Sequence, residues 1–482
     1  MMEIFIRQSN IELHLVDIIL IMIITILSIS VRVRSVHNPK FSVFDETHFG
    51  NFTNYYLDHQ FFQDIHPPFA KLLMYKIAEI GEYDGKLIFH GTTAYYSPEY
   101  TMLRLTPEIF SSFVPPLCYL CVRFLGFSKS AAFTSGIAAT FETSLIAEGR
   151  HILTDGILHF FSMLHVSVLL YLRSLKKKDF KFLVWHTLTG ITLGLACSIK
   201  NTAWGLMILD AFVYLKLLWS ESEVSMDNYI RQVLIYGSSL FLINFLVFWS
   251  TYIFHFLALP FIGPKTPLSH YEVTDFLVKK GNSSLLRPRI EPPNLLIRTL
   301  IYIYNTHRGN MHIVYFHDSQ SHPDNWPLMT GNGVFFYTHD DREMYCIGNI
   351  FCYYFAFIGY ISCCFAYKKP HKWEALFIAV GYSFSYFPFY LIPRTLYLYH
   401  YCIPLIFGIV GYGAFLDIYL PPKTKGIVIV LSIASLVYFY WLISPLIYGL
   451  PLRDEKKMLW DNAWKHGDKR HRMEASLNKN SQ

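Results

Sequence analysis

Charged residues are scarce in this sequence. Asp, Glu, Lys and Arg supply 16% of 482 residues, whereas 53% are hydrophobic and 17% aromatic. That balance excludes an ordinary soluble domain. Apolar runs of about 20 residues recur, each able to cross a ~30 Å hydrocarbon core, which defines a polytopic membrane protein. The net charge of +6 comes from basic residues scattered among loops. They form no aromatic-interleaved patch, so a nucleic-acid partner is excluded. Cysteine is sparse too, at eight residues. Cys118, Cys121, Cys197, Cys352, Cys363, Cys364 and Cys402 fall in or beside apolar runs, and Cys346 sits at the edge of one. No disulfide framework is expected, and Cys118-x-x-Cys121 reads as helix packing rather than a metal site. The first residues lack the basic region and small-residue cleavage site of a signal peptide, so the first apolar run is expected to remain as a helix.

About eleven spans are predicted, near 14–31, 106–124, 129–146, 151–172, 182–198, 202–219, 232–259, 345–367, 372–391, 396–418 and 425–448. The loops between them fall into two sets. One set is short and basic: Arg123 and Lys129; Arg173, Lys176, Lys177, Lys178 and Lys181; Lys368, Lys369 and Lys372; Lys423 and Lys425. Only the loop around Glu221, Glu223 and Asp227 departs from this pattern. The positive-inside rule places that set, and the N-terminus, in the cytosol. The other set faces the lumen and contains two long loops, roughly 32–104 and 260–344, and the tail 451–482. The sequons Asn51-Phe-Thr53 and Asn282-Ser-Ser284 both fall on that side.

Ionisable residues within spans are costly, so their depth is informative. Of Arg104, Glu108, Glu142, Glu148, Arg150, His151, Asp155, Lys200, Asn201, Arg394 and His400, most are expected within about 10 Å of the lumenal face. Asp210 lies deeper, and Asp17 sits at the cytoplasmic end of the first span. One reading is that cations snorkel to the interface and acids pair with them. The other is a polar cavity open to the lumen, roofed by the two long loops. In the first of these loops, Phe49, Phe52, Tyr55 and Tyr56 follow helical spacing. Phe69, Leu72, Leu73, Ile77 and Ile80 do so again after Pro67-Pro68. Both segments are too short to span and read as amphipathic helices lying in the interface, with Asp45 and Glu46 at the cavity mouth.

These residues resemble the protein O-mannosyltransferase family of integral GT-C glycosyltransferases. "FDETHFGNFTNYYL" and "FQDIHPPFAKLL" are similar to that family's first lumenal loop, with its Asp-Glu pair and His-Pro-Pro stretch. "MLRLTPEIFSSFVPPLCY" resembles the Arg-bearing second span, and "EGRHILTDGIL" the Arg-Tyr-Ile-Leu-x-Asp turn, with His151 in place of Tyr. "GITLGLACSIKNTAWG", "SHPDNWPLM" and "SYFPFYLIPRTLYLYHYCIPLI" resemble later motifs in the same order. The fold implied is an all-α polytopic GT-C membrane protein with a catalytic part over residues 1–450. The family usually carries a β-trefoil MIR domain in its second long loop. Here 260–344 is too short for one and shows no three-fold repeat.

The resemblance implies dolichyl-phosphate mannose as donor and a Ser or Thr hydroxyl of an endoplasmic reticulum protein as acceptor. It also implies a homo- or heterodimer with another family member. Inverting transfer needs a carboxylate to take the hydroxyl proton and cations to receive the leaving phosphate. No cofactor or divalent metal is expected, because a dolichyl monophosphate is itself a competent leaving group. Asp45 is the candidate base, with an N-capping role as the alternative. Glu46 is expected to orient the acceptor or hold a hydrogen-bond network. Asp64 and His66 either position acceptor or sugar, or form a turn before Pro-Pro. Arg104, Arg150, Lys200, Arg394, His400 and Lys71 are the phosphate candidates. Their alternative is structural pairing, as in Arg104 with Glu108 or Arg150 with Asp155. His307 and Arg308 are acceptor-side candidates, and Tyr397 to Tyr401 reads as interfacial anchoring. The rival readings are another polyprenyl-phosphate-sugar transferase, a transporter, and an inactive partner subunit.

Overall fold

Leu15–Val33 holds Leu, Ile and Val with neither Gly nor Pro, and it winds into the first helix, α1. The computed structural model describes residues 13–91, 93–175, 179–221, 225–264, 271–274, 277, 280, 294–331, 333–339 and 342–451. Lys176 to Lys178, the Asn282 sequon and the tail from 452 lie outside the described residues. After α1 come α2 (Glu46–Leu57), α3 (Phe69–Ile80), α4 (Glu99–Ser112), α5 (Val114–Phe124), α6 (Lys129–Thr140), α7 (Thr143–Gly149), α8 (Asp155–Ser174) and α9 (Phe180–Cys197). Then follow α10 (Gly205–Glu221), α11 (Met226–Ala258), α12 (Tyr271–Thr274), α13 (Leu295–Met311), the strands β1 (Val334–His339) and β2 (Arg342–Cys346), α14 (Ile350–Cys364), α15 (Lys372–Tyr386), α16 (Cys402–Tyr419) and α17 (Pro422–Tyr448).

Among the described residues, eight helices are long and apolar enough to cross a membrane, and the chain is a multi-pass membrane protein. Each predicted span contains a helix, but three fall short of spanning length in one piece. The stretch 129–146 divides into α6 and α7. There the Glu142 carboxylate turns back to accept from the backbone N–H of Leu145 at 2.6 Å and of Asn349 at 3.0 Å. The stretch 345–367 begins late because Arg342–Cys346 is a strand. The stretch 372–391 tightens into a 3-10 turn at Phe387–Leu391, where Pro388 removes a helix donor.

The antiparallel hairpin β1–β2, with an irregularity between Phe335 and Tyr337, departs from the all-α expectation. Helix α13 was likewise unforeseen in the second loop. Both loops form one roof. The backbone N–H of Phe61 donates to the Phe261 carbonyl (2.8 Å), and that of Phe261 to the His59 carbonyl (3.1 Å). Beneath this seam Tyr56, Phe61, Phe62, Tyr75, Tyr252, Phe256 and Tyr302 bury a second aromatic core. The Asn51 amide, half of a sequon, donates to the carbonyls of Thr47 and Phe89 and is packed within this roof.

The bundle itself closes on small residues. A Cβ at Gly359 of α14 would stand 2.3 Å from the Tyr412 nitrogen of α16, so the two backbones meet without side chains between them. Such contact supplies dispersion energy where lipid removes the hydrophobic drive between helices.

Candidate active site

The site begins at Phe44, whose φ of 46° places a bulky residue in the left-handed region. That conformation costs of order 1–3 kcal/mol and persists only where surroundings enforce it. Here Phe44 stacks on Phe336 of β1 (centroids 5.1 Å) and meets Tyr397 and Tyr399 edge-on. Its N–H donates to the Phe336 carbonyl at 3.3 Å. The kink throws the adjacent acids apart. Glu46 enters α2 and points inward, while Asp45 stays at the cap position, half-buried.

Glu46 is fully buried and its lone pairs are occupied. Arg104 donates to both oxygens at 2.8 Å; Val43 and Ile152 add backbone donors at 3.0 Å. Burial pushes this carboxyl up, but Arg104 and then His151 outweigh it and hold Glu46 far below the usual carboxylate range. Of its two expected roles, this geometry matches holding a network. Asp45 differs in every respect. It makes no side-chain cap to α2. Among the described residues its carboxylate has no hydrogen bond or ion pair. Burial raises its pKa, opposed by the charges of His48 and Lys200 and reinforced by Asp155 and Asp64.

The phosphate candidates separate into two groups. Arg104 is fully buried, and besides Glu46 it donates to the carbonyls of Val36, Pro39 and Phe41. Its N–H groups are all engaged, so none remains for a phosphate. Glu108, its suggested partner, instead has both carboxyl oxygens buried, with no hydrogen bond among the described residues. Arg150 is equally buried and ties the carbonyls of Arg34, Ser35 and Ile447 together, lying 4.6 Å over the Tyr448 ring. Asp155 pairs with Lys200 rather than Arg150. Lys71 binds Asp64 at 2.5 Å and the carbonyls of His66 and Pro67, so the Lys71–Asp64 pair shapes the Pro67-Pro68 turn. Burial lowers the Lys71 pKa, opposed by Asp64.

Lys200, Arg394 and His400 form the other group. Lys200 Nζ donates to Asp155 at 2.6 Å and lies 5.3 Å over Tyr399, with N–H capacity to spare. Lys200 and His400 line a narrow void with Asp155, His159, Thr202 and Tyr399. Arg394 bonds Asn310 and the Thr395 carbonyl, and among the described residues its Nη2 has no partner. It borders a cleft of about 580 Å³ with Gln320, His322, Asn325, Tyr390 and Thr395. His66 faces this cationic group. Burial, then Lys200, Lys71, Arg394 and His400, hold its imidazole well below the ordinary histidine range, so it stays neutral. Tyr397, Tyr399, His400 and Trp326 stack as one slab, with Tyr399 and His400 centroids 4.5 Å apart. Sequence reading took the tyrosines as anchors; their ring spacing only emerges once the 3-10 turn Leu398–Tyr401 is formed. It missed Phe336, which lies in the short strand β1, and Trp326, which follows the 3-10 turn Pro323–Asn325; neither segment shows a clear periodicity. His307 and Arg308 are exposed on α13. Among the described residues no cluster of His, Cys, Asp or Glu suited to a metal ion occurs.

The architecture is that of a GT-C glycosyltransferase. A chain of the Saccharomyces cerevisiae protein O-mannosyltransferase Pmt1-Pmt2 complex bound to the sugar donor superposes with a TM-score of 0.82. The match covers 93% of this chain and 92% of that one at 17% identity. ArnT from Cupriavidus metallidurans, bound to undecaprenyl phosphate, matches with a TM-score of 0.50 over 89% of this chain and 64% of that one, at 13% identity.

Sequence comparison narrows the class. Residues 22–260 match the family described as dolichyl-phosphate-mannose-protein mannosyltransferase. Residues 301–466 match the C-terminal four TMM region of protein-O-mannosyltransferase. The chain belongs to the protein O-mannosyltransferase family. It is 31% identical to dolichyl-phosphate-mannose–protein mannosyltransferase 3 of Saccharomyces cerevisiae, over 54% of this chain and 35% of that protein. It is 30% identical to protein O-mannosyl-transferase 1 of Danio rerio, over 51% of this chain and 35% of that protein. The chain thus spans about a third of the length of these curated relatives.

Proposed function

We propose that this protein transfers mannose from dolichyl-phosphate mannose to Ser and Thr hydroxyls of proteins in the endoplasmic reticulum lumen, with inversion. The observation that carries the reading is the asymmetry of the acidic pair: Glu46 is consumed by Arg104, and among the described residues Asp45 is left unpaired on the side where Lys200 acts on it. In the proposed step the acceptor hydroxyl gives its proton to an Asp45 oxygen as its own oxygen attacks the anomeric carbon. The bond from that carbon to the phosphate oxygen breaks, and the electron pair leaves on dolichyl monophosphate. Lys200, with Arg394 and His400, would stabilise the growing phosphate charge. His66, neutral, is a hydrogen-bonding group for sugar or acceptor. The step requires no divalent ion. The cleft beside Arg394, lined by side-chain amides and hydroxyls, has a polar character suited to an extended peptide. The N-terminus would lie in the cytosol and the site in the lumen, in line with the basic loops at the opposite end of the bundle. The solved yeast relative is a two-protein complex, and we extend that arrangement to a dimer here.

The test is transfer by purified protein from radiolabelled dolichyl-phosphate mannose to a Ser/Thr peptide, with the anomeric configuration of the product read by glycosidase sensitivity. Donor-dependent α-linked product is expected. No product, or product from a glucose donor alone, overturns the reading.

A further inference from the structure

Two histidines lie deep among the spans, and each is tied through both ring nitrogens. His165 Nε2 of α8 lies 3.0 Å from Asp210 Oδ1 of α10, and its Nδ1 lies 3.2 Å from Thr192 Oγ1 of α9. His186 of α9 meets the Tyr214 hydroxyl of α10 at 2.7 Å and the Ser239 hydroxyl of α11 at 2.8 Å. His165, Asp210, His186 and Tyr214 are all buried. The Thr192 hydroxyl gives its hydrogen to the Leu188 carbonyl at 2.8 Å, so its oxygen accepts from His165 Nδ1–H. The contact between Nε2 and Oδ1 then requires one proton between them, which leaves the His165–Asp210 pair neutral as a whole.

An ionisable pair inside a span asks for a role beyond packing, because it is costly there and an apolar pair of similar size packs at least as well. Asp210 Oδ2 is buried and has no partner among the described residues, so bonding does not fully offset the cost of burying the acid. What such a pair supplies best is register. Asp155 opens α8, and His165 stands further along it, about 15 Å down the axis. Lys200 shortly precedes α10, and Asp210 lies in that helix's second turn. The Lys200–Asp155 bond of 2.6 Å and the His165–Asp210 bond of 3.0 Å are therefore two rungs between the same two segments. Helix α10 packs chiefly on α15, starting at Gly205, where a Cβ would stand 2.4 Å from the Phe384 carbonyl oxygen, and its contact with α8 is slight. Apolar packing thus does little to fix the slide of α10 against α8.

We propose that His165 and Asp210 are positioning residues for the donor-phosphate cation Lys200. Their bond sets the register of α10 against α8 and so holds Lys200 on Asp155, with its remaining N–H capacity placed for the leaving phosphate. A slide of one residue along the helix axis is about 1.5 Å, enough to break the Lys200–Asp155 contact. This inference rests on the phosphate role proposed above for Lys200.

The test is a double-mutant cycle on the full chain in nanodiscs, reading mannose transfer and, separately, retention of dolichyl phosphate by native mass spectrometry. His165→Leu with Asp210→Val removes both partners, so neither is left buried and unpaired, and the protein is expected to stay monodisperse. Its kcat/KM for the donor is expected to fall about tenfold or more, towards the roughly hundredfold that a misplacement of about 1 Å costs, with retention falling alongside and the peptide KM unchanged. On the Lys200→Met background the same pair is expected to change either readout less than about twofold, because its effect passes through Lys200. Asp210→Ala, a smaller change, is expected to show the same coupling. Asp210→Asn, whose amide N–H donates to Nε2, keeps the rung and is expected to stay within about twofold of wild type. Undiminished transfer and retention in the apolar pair and in Asp210→Ala overturns the proposal. So does a loss that persists on the Lys200→Met background, or an Asp210→Asn as damaging as the apolar pair. Retention unchanged by Lys200→Met alone overturns the phosphate role of Lys200 and this inference with it. A wild-type protein that transfers no mannose overturns the proposed function, while retention still decides the register role.

Discussion

Replacing Glu46 by Gln and Asp45 by Asn should give opposite phenotypes, although the residues are neighbours. Glu46 and Arg104 are both fully buried and share two bonds of 2.8 Å. Removing one partner of such a pair leaves an uncompensated buried charge and costs about 3–5 kcal/mol. Unfolding entropies near 2.1 cal/mol/K per residue, over 482 residues, give about 1 kcal/mol/K, so the melting midpoint should fall by about 3–5 °C. Among the described residues Asp45 has no partner to orphan, and its raised pKa means that ionising it opposes folding. The sign follows. A carboxyl whose folded pKa exceeds its unfolded value contributes stability at low pH and loses it as pH rises through the folded value. Asp45→Asn should therefore be neutral or slightly stabilising at neutral pH, while turnover falls about a hundredfold or more, as for a lost general base. Tryptophan-fluorescence melting and donor-saturated transfer rates, measured on both variants, decide the matter. A Glu46→Gln protein that melts like wild type, or an Asp45→Asn protein that turns over near normally, would refute the division of labour.

Further outcomes follow from the same geometry. Because burial raises the Asp45 pKa, the acid limb of a rate–pH profile should lie above the ordinary carboxylate value of about 3.9, with activity lost as pH falls through it. A limb at or below that value would exclude Asp45. Lys200→Met should lower kcat/KM for the donor by about 10–150-fold, the worth of a charge-assisted hydrogen bond of about 1.5–3 kcal/mol. An effect confined to the peptide KM would move Lys200 to the acceptor. Gly359→Leu places a side chain where Tyr412 and Gly408 backbone atoms stand within 2.5 Å of a Cβ, and should cost about 1–3 kcal/mol or more, read as lost monodisperse protein on gel filtration.

Much of this fold is legible in the sequence, since apolar length is a direct physical requirement of the bilayer. The helices of the first loop are equally legible, because Phe49, Phe52 and Tyr56 keep helical period; α2 nevertheless ends at Leu57, well before Pro67, and Pro68 stands at the N-cap of α3. The helix α2 begins earlier, at Glu46, because Asp45 occupies the cap position without side-chain capping. What sequence periodicity misses is long-range pairing. The Arg104–Glu46 bond joins residues 58 apart, and Asp155–Lys200 residues 45 apart. An arginine and a lysine of equal promise in one dimension thus divide into a buried clasp and a cation with donors to spare. The hairpin was hidden for a related reason: "VFFYTH" and "REMYC" lack strict alternation, and a bulge shifts their register.

The left-handed turn at Phe44 leans on Phe336, a residue translated almost three hundred positions later. Until the ribosome has passed β1, an emerging chain carries its acid but no wall to aim it. On the proposed function, the reactive geometry is thereby acquired late in synthesis, which would spare the half-made molecule and its neighbours from premature sugar transfer.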